Sequence, residues 1–229
     1  MRPRISILWL AVVAASVGCS SSLKEETKIP PPAAPVVEEK VDPRPVVVAL
    51  GDSLTAGYGV EPGLSYPDWL QKRMDGEGAG YRVVNQGISG DTTSGGVARI
   101  EEALRLKPAV VVLALGANDG LRGLPLETTR ANLAEMIDRL QAGGARVLLG
   151  GMTLPRNYGP DYVRDFENVF KELAKEKKTG LIPFLLEGVA MNPQLMQGDA
   201  LHPTAEGNRR VAETVWKYLR PMLPPAGAQ

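Results

Sequence analysis

The stretch "AVVVLALGANDG", residues 109–120, places seven consecutive apolar residues directly before a glycine and a polar turn. A continuous β-branched run, without alternation of apolar and polar positions, is typical of a strand that is buried on both faces. Such strands belong to parallel sheets that are covered by helices on both sides. The stretch therefore predicts an α/β protein in which polar residues follow the carboxyl end of a central strand.

The same pattern recurs along the chain on both sides of this stretch. The predicted strands are 46–50, 81–85, 109–115, 145–151 and 180–184, and the predicted helices are 66–75, 94–106, 127–142, 160–178 and 204–220. Thr204 can cap the last helix, and the glycines of "AGGARV" can end the helix at 127–142. Strands that alternate with helices imply right-handed crossovers. We predict a three-layer α/β/α sandwich with a five-stranded parallel sheet, forming one domain over residues 46–223.

The composition limits the chemistry of the protein. The chain has 26 basic and 26 acidic residues, so it lacks the basic excess that nucleic-acid binding needs. Cys19 is the only cysteine and His202 the only histidine. A single cysteine excludes an internal disulfide, and one cysteine with one histidine supplies too few ligands for a typical zinc site. We expect no metal, no cofactor and no nucleic-acid partner, and we expect a monomer.

The N-terminal segment has the pattern of an exported protein. Two arginines, a short apolar run and small residues predict a signal peptide over residues 1–18. The following "SVGC" resembles the lipobox of bacterial lipoproteins, although Ser16 stands where that pattern prefers leucine. Residues 19–45 are rich in Pro, Ser, Glu and Lys and predict a semi-extended tether. We expect a periplasmic protein or a lipoprotein anchored to a membrane of a bacterial envelope through Cys19; cleavage without acylation is the alternative.

Reactive and polar residues follow four of the predicted strands. Ser53 follows the first, Gly90 the second, Asn118 the third, and Asp199 with His202 the fifth. Each has an ordinary explanation as a cap or turn residue, but ligands of such sheets bind outside these strand ends. Together they supply a nucleophile, an imidazole base and an acid that can fix its tautomer. The N–H groups of Ser53 and Gly90, with the Asn118 amide, can donate to an oxyanion.

The blocks that contain these residues, "GDSL", "ISGD", "GAND" and "DALH", resemble in sequence and order those of the GDSL/SGNH hydrolases. The likeness extends over nearly all of residues 46–220 and is strongest to the bacterial periplasmic arylesterase/thioesterase/lysophospholipase type. It implies a flavodoxin-like sheet and hydrolysis of carboxylic esters or thioesters, with a small-molecule ester or lipid as substrate. The resemblance also implies the roles of the residues: Ser53, Asp199 and His202 as the catalytic triad, and Ser53, Gly90 and Asn118 as the oxyanion hole.

Other functions fit the sequence less well. The α/β-hydrolase fold has the same order of Ser, Asp and His, but it expects Gly-x-Ser-x-Gly, and Thr55 replaces the second glycine here. Nucleotide binding lacks its phosphate-loop pattern. Two alternatives stay open: a non-catalytic envelope-binding module on the same scaffold, and a carbohydrate acetylesterase. Covalent labelling of Ser53 would distinguish the module from an enzyme.

The loops after the third and fourth strands, residues 120–127 and 152–160, are expected to form the walls of the cleft. Their apolar side chains can line an acyl groove or can belong to the core, and the sequence leaves both interpretations open. Two polar side chains in these loops, Arg122 and Tyr158, can contact the head group of a substrate. The candidate substrate contacts are Asp52, Leu121, Arg122, Leu124, Leu126, Met152, Leu154 and Tyr158.

Overall fold

A single parallel sheet forms the centre of the protein, in a computed structural model that describes residues 42–223. The five strands have the order β2-β1-β3-β4-β5. They are β1 (Val46–Gly51), β2 (Arg82–Gly87), β3 (Val110–Ala114), β4 (Arg146–Gly150) and β5 (Gly180–Ile182). The number and direction of the strands confirm the prediction. The signal peptide, Cys19 and most of the tether lie outside the described residues.

Seven α-helices connect and follow the strands within the described part of the chain. They are α1 (Ser53–Ala56), α2 (Tyr66–Gly76), α3 (Thr93–Arg105), α4 (Ala117–Leu121), α5 (Leu126–Ala142), α6 (Pro160–Glu176) and α7 (Ala205–Leu219). Helix α2 packs against α7, while α5 packs against α3 and α6. Right-handed crossovers place these two groups on opposite faces of the sheet. The result is the predicted α/β/α sandwich.

The ends of two helices confirm local predictions from the sequence. The Thr204 side chain accepts a hydrogen bond from the Gly207 N–H at 3.2 Å and caps α7. Helix α5 ends at Ala142 with Gly143 as its C-cap, and Gly144 follows with φ of +86°, a backbone conformation that L side chains rarely adopt. Short 3₁₀ turns at Arg156–Tyr158 and Arg220–Met222 were not predicted.

Burial differs between the central and edge strands. Every residue of β1 and β3 is buried, as their continuous apolar runs predict. Strands β2 and β5 form the two edges of the sheet and are only partly buried, so the expectation that the strands are buried on both faces was wrong for these two. The predicted strand 180–184 ends at Ile182, because Pro183 has no N–H to donate to a neighbouring strand.

The sheet register brings three strand ends to one level. Gly51, the last residue of β1, pairs with Gly87 of β2 and Ala114 of β3. A Cβ atom on Gly87 would lie 2.1 Å from the backbone nitrogen of Ala56, so only glycine lets α1 pack on the end of β2. The three loops that follow these strands therefore begin at the same edge. Among residues 42–223, no helix is long and apolar enough to cross a membrane.

Candidate active site

Ser53, His202 and Asp199 form one chain of hydrogen bonds at the carboxyl edge of the sheet. Ser53 is the first residue of α1, and its Oγ lies 2.9 Å from Nε2 of His202. On the other side of the ring, Nδ1 lies 2.6 Å from Oδ2 of Asp199. The structure thus brings together three predicted side chains, of which the serine and the histidine are 149 positions apart in the sequence.

The Asp199 carboxylate is held by its own loop. Its Oδ1 accepts the backbone N–H groups of Leu201 at 2.9 Å and His202 at 3.0 Å. Burial raises the pKa of Asp199, but the hydrogen bonds from the His202 ring and from these two N–H groups outweigh it and hold the pKa at about 2. An ionised carboxylate can only accept, so the ring proton lies on Nδ1. Nε2 is then free to accept the Ser53 proton.

Gln197 joins the histidine loop to the serine loop. Its backbone N–H donates to the His202 carbonyl at 2.7 Å. Its side-chain Nε2 donates to the Tyr58 carbonyl at 2.7 Å and to the Pro203 carbonyl at 2.8 Å. The Tyr58 ring lies 4.6 Å from the His202 ring, centroid to centroid. The sequence analysis missed both Gln197 and Tyr58, because nothing in the local sequence shows that an amide or a tyrosine contacts a loop that is distant in the chain.

Gly90 and Asn118 lie beside this chain of hydrogen bonds. Gly90 has φ of +79° in the turn after β2, and its N–H has no acceptor among residues 42–223. Asn118, in the first turn of α4, donates through Nδ2 to the Asp91 carbonyl at 2.9 Å. The same Nδ2 makes only a long contact of 3.4 Å with Oδ2 of Asp52. One amide proton therefore fixes the side chain, and the second is weakly bound.

Three predicted substrate contacts are buried, and this corrects the expectation for them. Asp52 is 1% exposed; its Oδ1 accepts the Leu54 N–H at 3.0 Å and caps α1. Leu154 is 5% exposed and packs with Phe166 around Gly120 in the core. Met152 is buried as well. These side chains present almost no surface to a ligand, so we do not retain them as substrate contacts.

The other candidate contacts keep some exposure. Leu121 and Leu126 are half-buried against the core, and Leu124 is half-buried too. The Tyr158 hydroxyl donates to the Leu121 carbonyl at 2.8 Å, which ties the two predicted loops together. Arg122 is exposed and donates to the Gly90 carbonyl at 3.0 Å, so it lies directly beside the site.

Exposed apolar side chains that the sequence analysis did not select also border the site. Tyr58 and Ile88 are each about half exposed, and Leu201, next to His202, is exposed. Ile88 directly follows β2, and its N–H donates to the Gly51 carbonyl at 3.1 Å. Apolar side chains that are exposed beside a polar cluster can form a surface for an apolar ligand.

The buried Asp52 carboxyl gives a prediction for stability. Burial raises its pKa to about 6, although the hydrogen bond from the Leu54 N–H opposes this. A group whose pKa is raised by folding loses stability as pH rises from its unfolded pKa to its folded pKa. As Asp52 ionises, the free energy of unfolding should therefore fall by roughly 3 kcal/mol between about pH 4 and pH 7. In Asp52→Asn this decrease should be absent, because the amide does not ionise.

Urea unfolding of both proteins across this pH range measures the difference. Asp199 does not interfere, because its lowered pKa affects stability only as pH falls below about 4. Parallel curves for the wild type and the Asn variant would show that Asp52 is not a buried ionising group.

Comparison with known proteins assigns the chain to a family. Residues 49–210 match the model of the GDSL-like lipase/acylhydrolase family. The chain belongs to this family. It is a GDSL/SGNH-type esterase, a hydrolase that acts on ester bonds.

Individual members of the GDSL-like family are similar over most of the described domain. Esterase TesA of Pseudomonas aeruginosa is 46% identical over 178 residues, which cover 77% of this chain and 89% of that protein. Thioesterase 1/protease 1/lysophospholipase L1 of Escherichia coli K12 is 36% identical, with coverage of 77% and 84%. The crystal structure of the psychrotrophic esterase EstA from Pseudoalteromonas sp., inhibited by monoethylphosphonate, has a TM-score of 0.74, 31% identity and coverage of 78% and 98%.

Proposed function

We propose that this GDSL hydrolase cleaves carboxylic esters and thioesters by a serine mechanism, with Ser53 as nucleophile, His202 as general base and Asp199 as the acid that orients it. The observation that carries the proposal is the unbroken chain of hydrogen bonds from Asp199 through His202 to Ser53. A serine hydroxyl needs such a base, because it is a weak nucleophile at neutral pH.

The proposed reaction has two halves. Ser53 Oγ attacks the substrate carbonyl carbon while His202 Nε2 takes its proton. His202 then gives that proton to the departing alcohol or thiol, and an acyl-serine remains. In the second half, water attacks the acyl-serine, His202 accepts the proton of the water, and the carboxylic acid leaves as Oγ regains a proton.

The same edge supplies donors for the negative charge on the carbonyl oxygen. We assign this role to the N–H groups of Ser53 and Gly90 and to the Asn118 amide. The N–H of Gly90 has no acceptor in the described part of the chain, and the second Asn118 proton makes only a 3.4 Å contact, so both can turn to an oxyanion at small cost. Donors that are already in position stabilise the transition state without reorganisation.

We infer that the substrate places an apolar group against Tyr58, Ile88 and Leu201. These side chains are exposed beside the nucleophile, and contact with an acyl chain or an apolar leaving group would remove their surface from water. The names of the two relatives, an esterase and a thioesterase/lysophospholipase, support an ester or thioester of this kind.

Covalent labelling tests the proposal. A fluorophosphonate probe should add one phosphonyl group to the wild type and none to Ser53→Ala, because the probe reacts with an activated serine. Intact-protein mass spectrometry reads the result. Ser94→Ala is the matched control, since Ser94 is an exposed serine of α3 bonded to Asn132, and it should label like the wild type. Labelling of Ser53→Ala at the wild-type rate would overturn the proposal.

A further inference from the structure

We propose that Arg99 is a positioning residue that sets the geometry of the oxyanion hole, an inference that rests on the proposed function. Arg99 lies on α3, and its side chain is only 10% exposed. It occupies the same helical face as Gly96 and Ala103, which are buried. A charge on the buried face of a helix must be paired, and its partners indicate why it is there.

All three kinds of guanidinium nitrogen donate to the carboxyl edge of the sheet. Nε donates to Oδ2 of Asp91 at 2.8 Å, within an ion pair that is almost buried. Nη1 donates to the Gln86 carbonyl, near the end of β2, at 2.8 Å. Nη2 donates to the Gly51 carbonyl, at the end of β1, also at 2.8 Å. One planar group therefore joins two strand ends and the loop that follows β2.

Two of these three acceptors are close in the chain to a proposed oxyanion donor. Gly51 precedes Ser53 by two residues, and Asp91 directly follows Gly90. The Asp91 carbonyl accepts the fixed proton of the Asn118 amide at 2.9 Å. Arg99 thus connects all three donors, although it touches none of them. A displacement of about 1 Å in such a set is costly for the reaction.

Lysine cannot reproduce this arrangement. Its ammonium can pair with Asp91, but it lacks the rigid planar fork that reaches three acceptors in fixed directions. The Asp91 carboxylate is also held by the Thr92 N–H at 3.0 Å, so it keeps one partner when the guanidinium is lost. The order of kcat should therefore be wild type, then Arg99→Lys, then Arg99→Met.

Steady-state kinetics with a soluble p-nitrophenyl ester tests the role. Arg99→Met should lower kcat by roughly 10- to 100-fold, less than the loss for a whole oxyanion donor, and change KM by less than about threefold. Arg44→Met is the matched control. Arg44 donates to the carboxylates of Asp42 and Asp75 and to the Tyr81 carbonyl, but it precedes β1 and so lies at the opposite edge of the sheet. It should keep wild-type kcat even where its Tm falls.

A double-mutant cycle separates positioning from general stabilisation. Asn118→Ala alone should lower kcat by about 10²- to 10³-fold. Adding Arg99→Met to it should lower kcat further by less than Arg99→Met lowers it in the wild type, because one of the three donors that Arg99 positions is already gone. Arg99→Lys serves in the same cycle if Arg99→Met does not fold.

Wild-type kcat in the folded Arg99 variants would overturn the inference. So would a double variant whose loss in kcat equals the product of the losses of the two single variants, or an effect of Arg99 substitution that appears entirely in KM. The failure of the proposed function looks different, because Ser53→Ala would then still react with the fluorophosphonate probe whatever the Arg99 variants do.

Discussion

His202→Ala should lower kcat for ester hydrolysis on the order of 10⁶-fold, to the level of Ser53→Ala. The substitution removes the group that lies 2.9 Å from Ser53 Oγ and would accept its proton. No other imidazole can replace it, because His202 is the only histidine of the chain. Stopped assays with a p-nitrophenyl ester, run at high enzyme concentration, measure the residual rate.

The fold should survive this change. The His202 side chain is partly exposed and lies in a loop that its own backbone bonds to Asp199 and Gln197 hold in place. Near-UV circular dichroism and Tm should therefore match the wild type. The double variant Ser53→Ala/His202→Ala should be no slower than either single variant, since the two groups act as a unit. Turnover within a hundredfold of the wild type in pure His202→Ala would exclude His202 as the base.

The sequence was sufficient to predict the sheet and the residues at its edge. Buried runs such as 109–115 identify central strands, and parallel strands must end at one edge, so the sequence alone predicts that Ser53 and Asn118 lie close together. The acid and base needed less inference, because three residues in a turn can bring Asp199 back to the ring of His202. The structure shows Asp199, His202 and Ser53 joined by hydrogen bonds.

The directions in which several side chains point could not be predicted from the sequence. Asp52 directly precedes Ser53, yet its side chain turns inward to cap α1 while the serine faces His202. Leu154 lies in a loop but packs in the core, because it fills the space beside Gly120. Arg99 bonds to a carbonyl 48 positions away, and Gln197 to one 139 positions away. Local patterns do not encode such contacts, although an arginine on a buried helical face is a signal that could have been used for Arg99.

Asp199→Asn should lower kcat by about 10⁴-fold while it leaves the loop in place. An asparagine fits the same space, and its Oδ1 can still accept the N–H groups of Leu201 and His202. Its amide, however, donates to Nδ1 of the ring where the carboxylate accepted. The ring proton then moves to Nε2, which faces Ser53 and can no longer accept a proton from it. The imidazole stays in place, but its protonated Nε2 can no longer act as the base.

The ionisation of Asp199 also predicts how the defect of the Asn variant depends on pH. Because the pKa of Asp199 is held at about 2, the wild-type carboxylate is ionised throughout the range of an esterase assay. The defect of the Asn variant should therefore persist at every pH between about 5 and 8. Asp138, on α5, forms an exposed ion pair with Lys177. Asp138→Asn makes the same chemical change away from the site and should keep wild-type kcat. If Asp199→Asn retained kcat within tenfold, the carboxylate would not be what orients the imidazole, and the proposed triad would reduce to a serine–histidine pair.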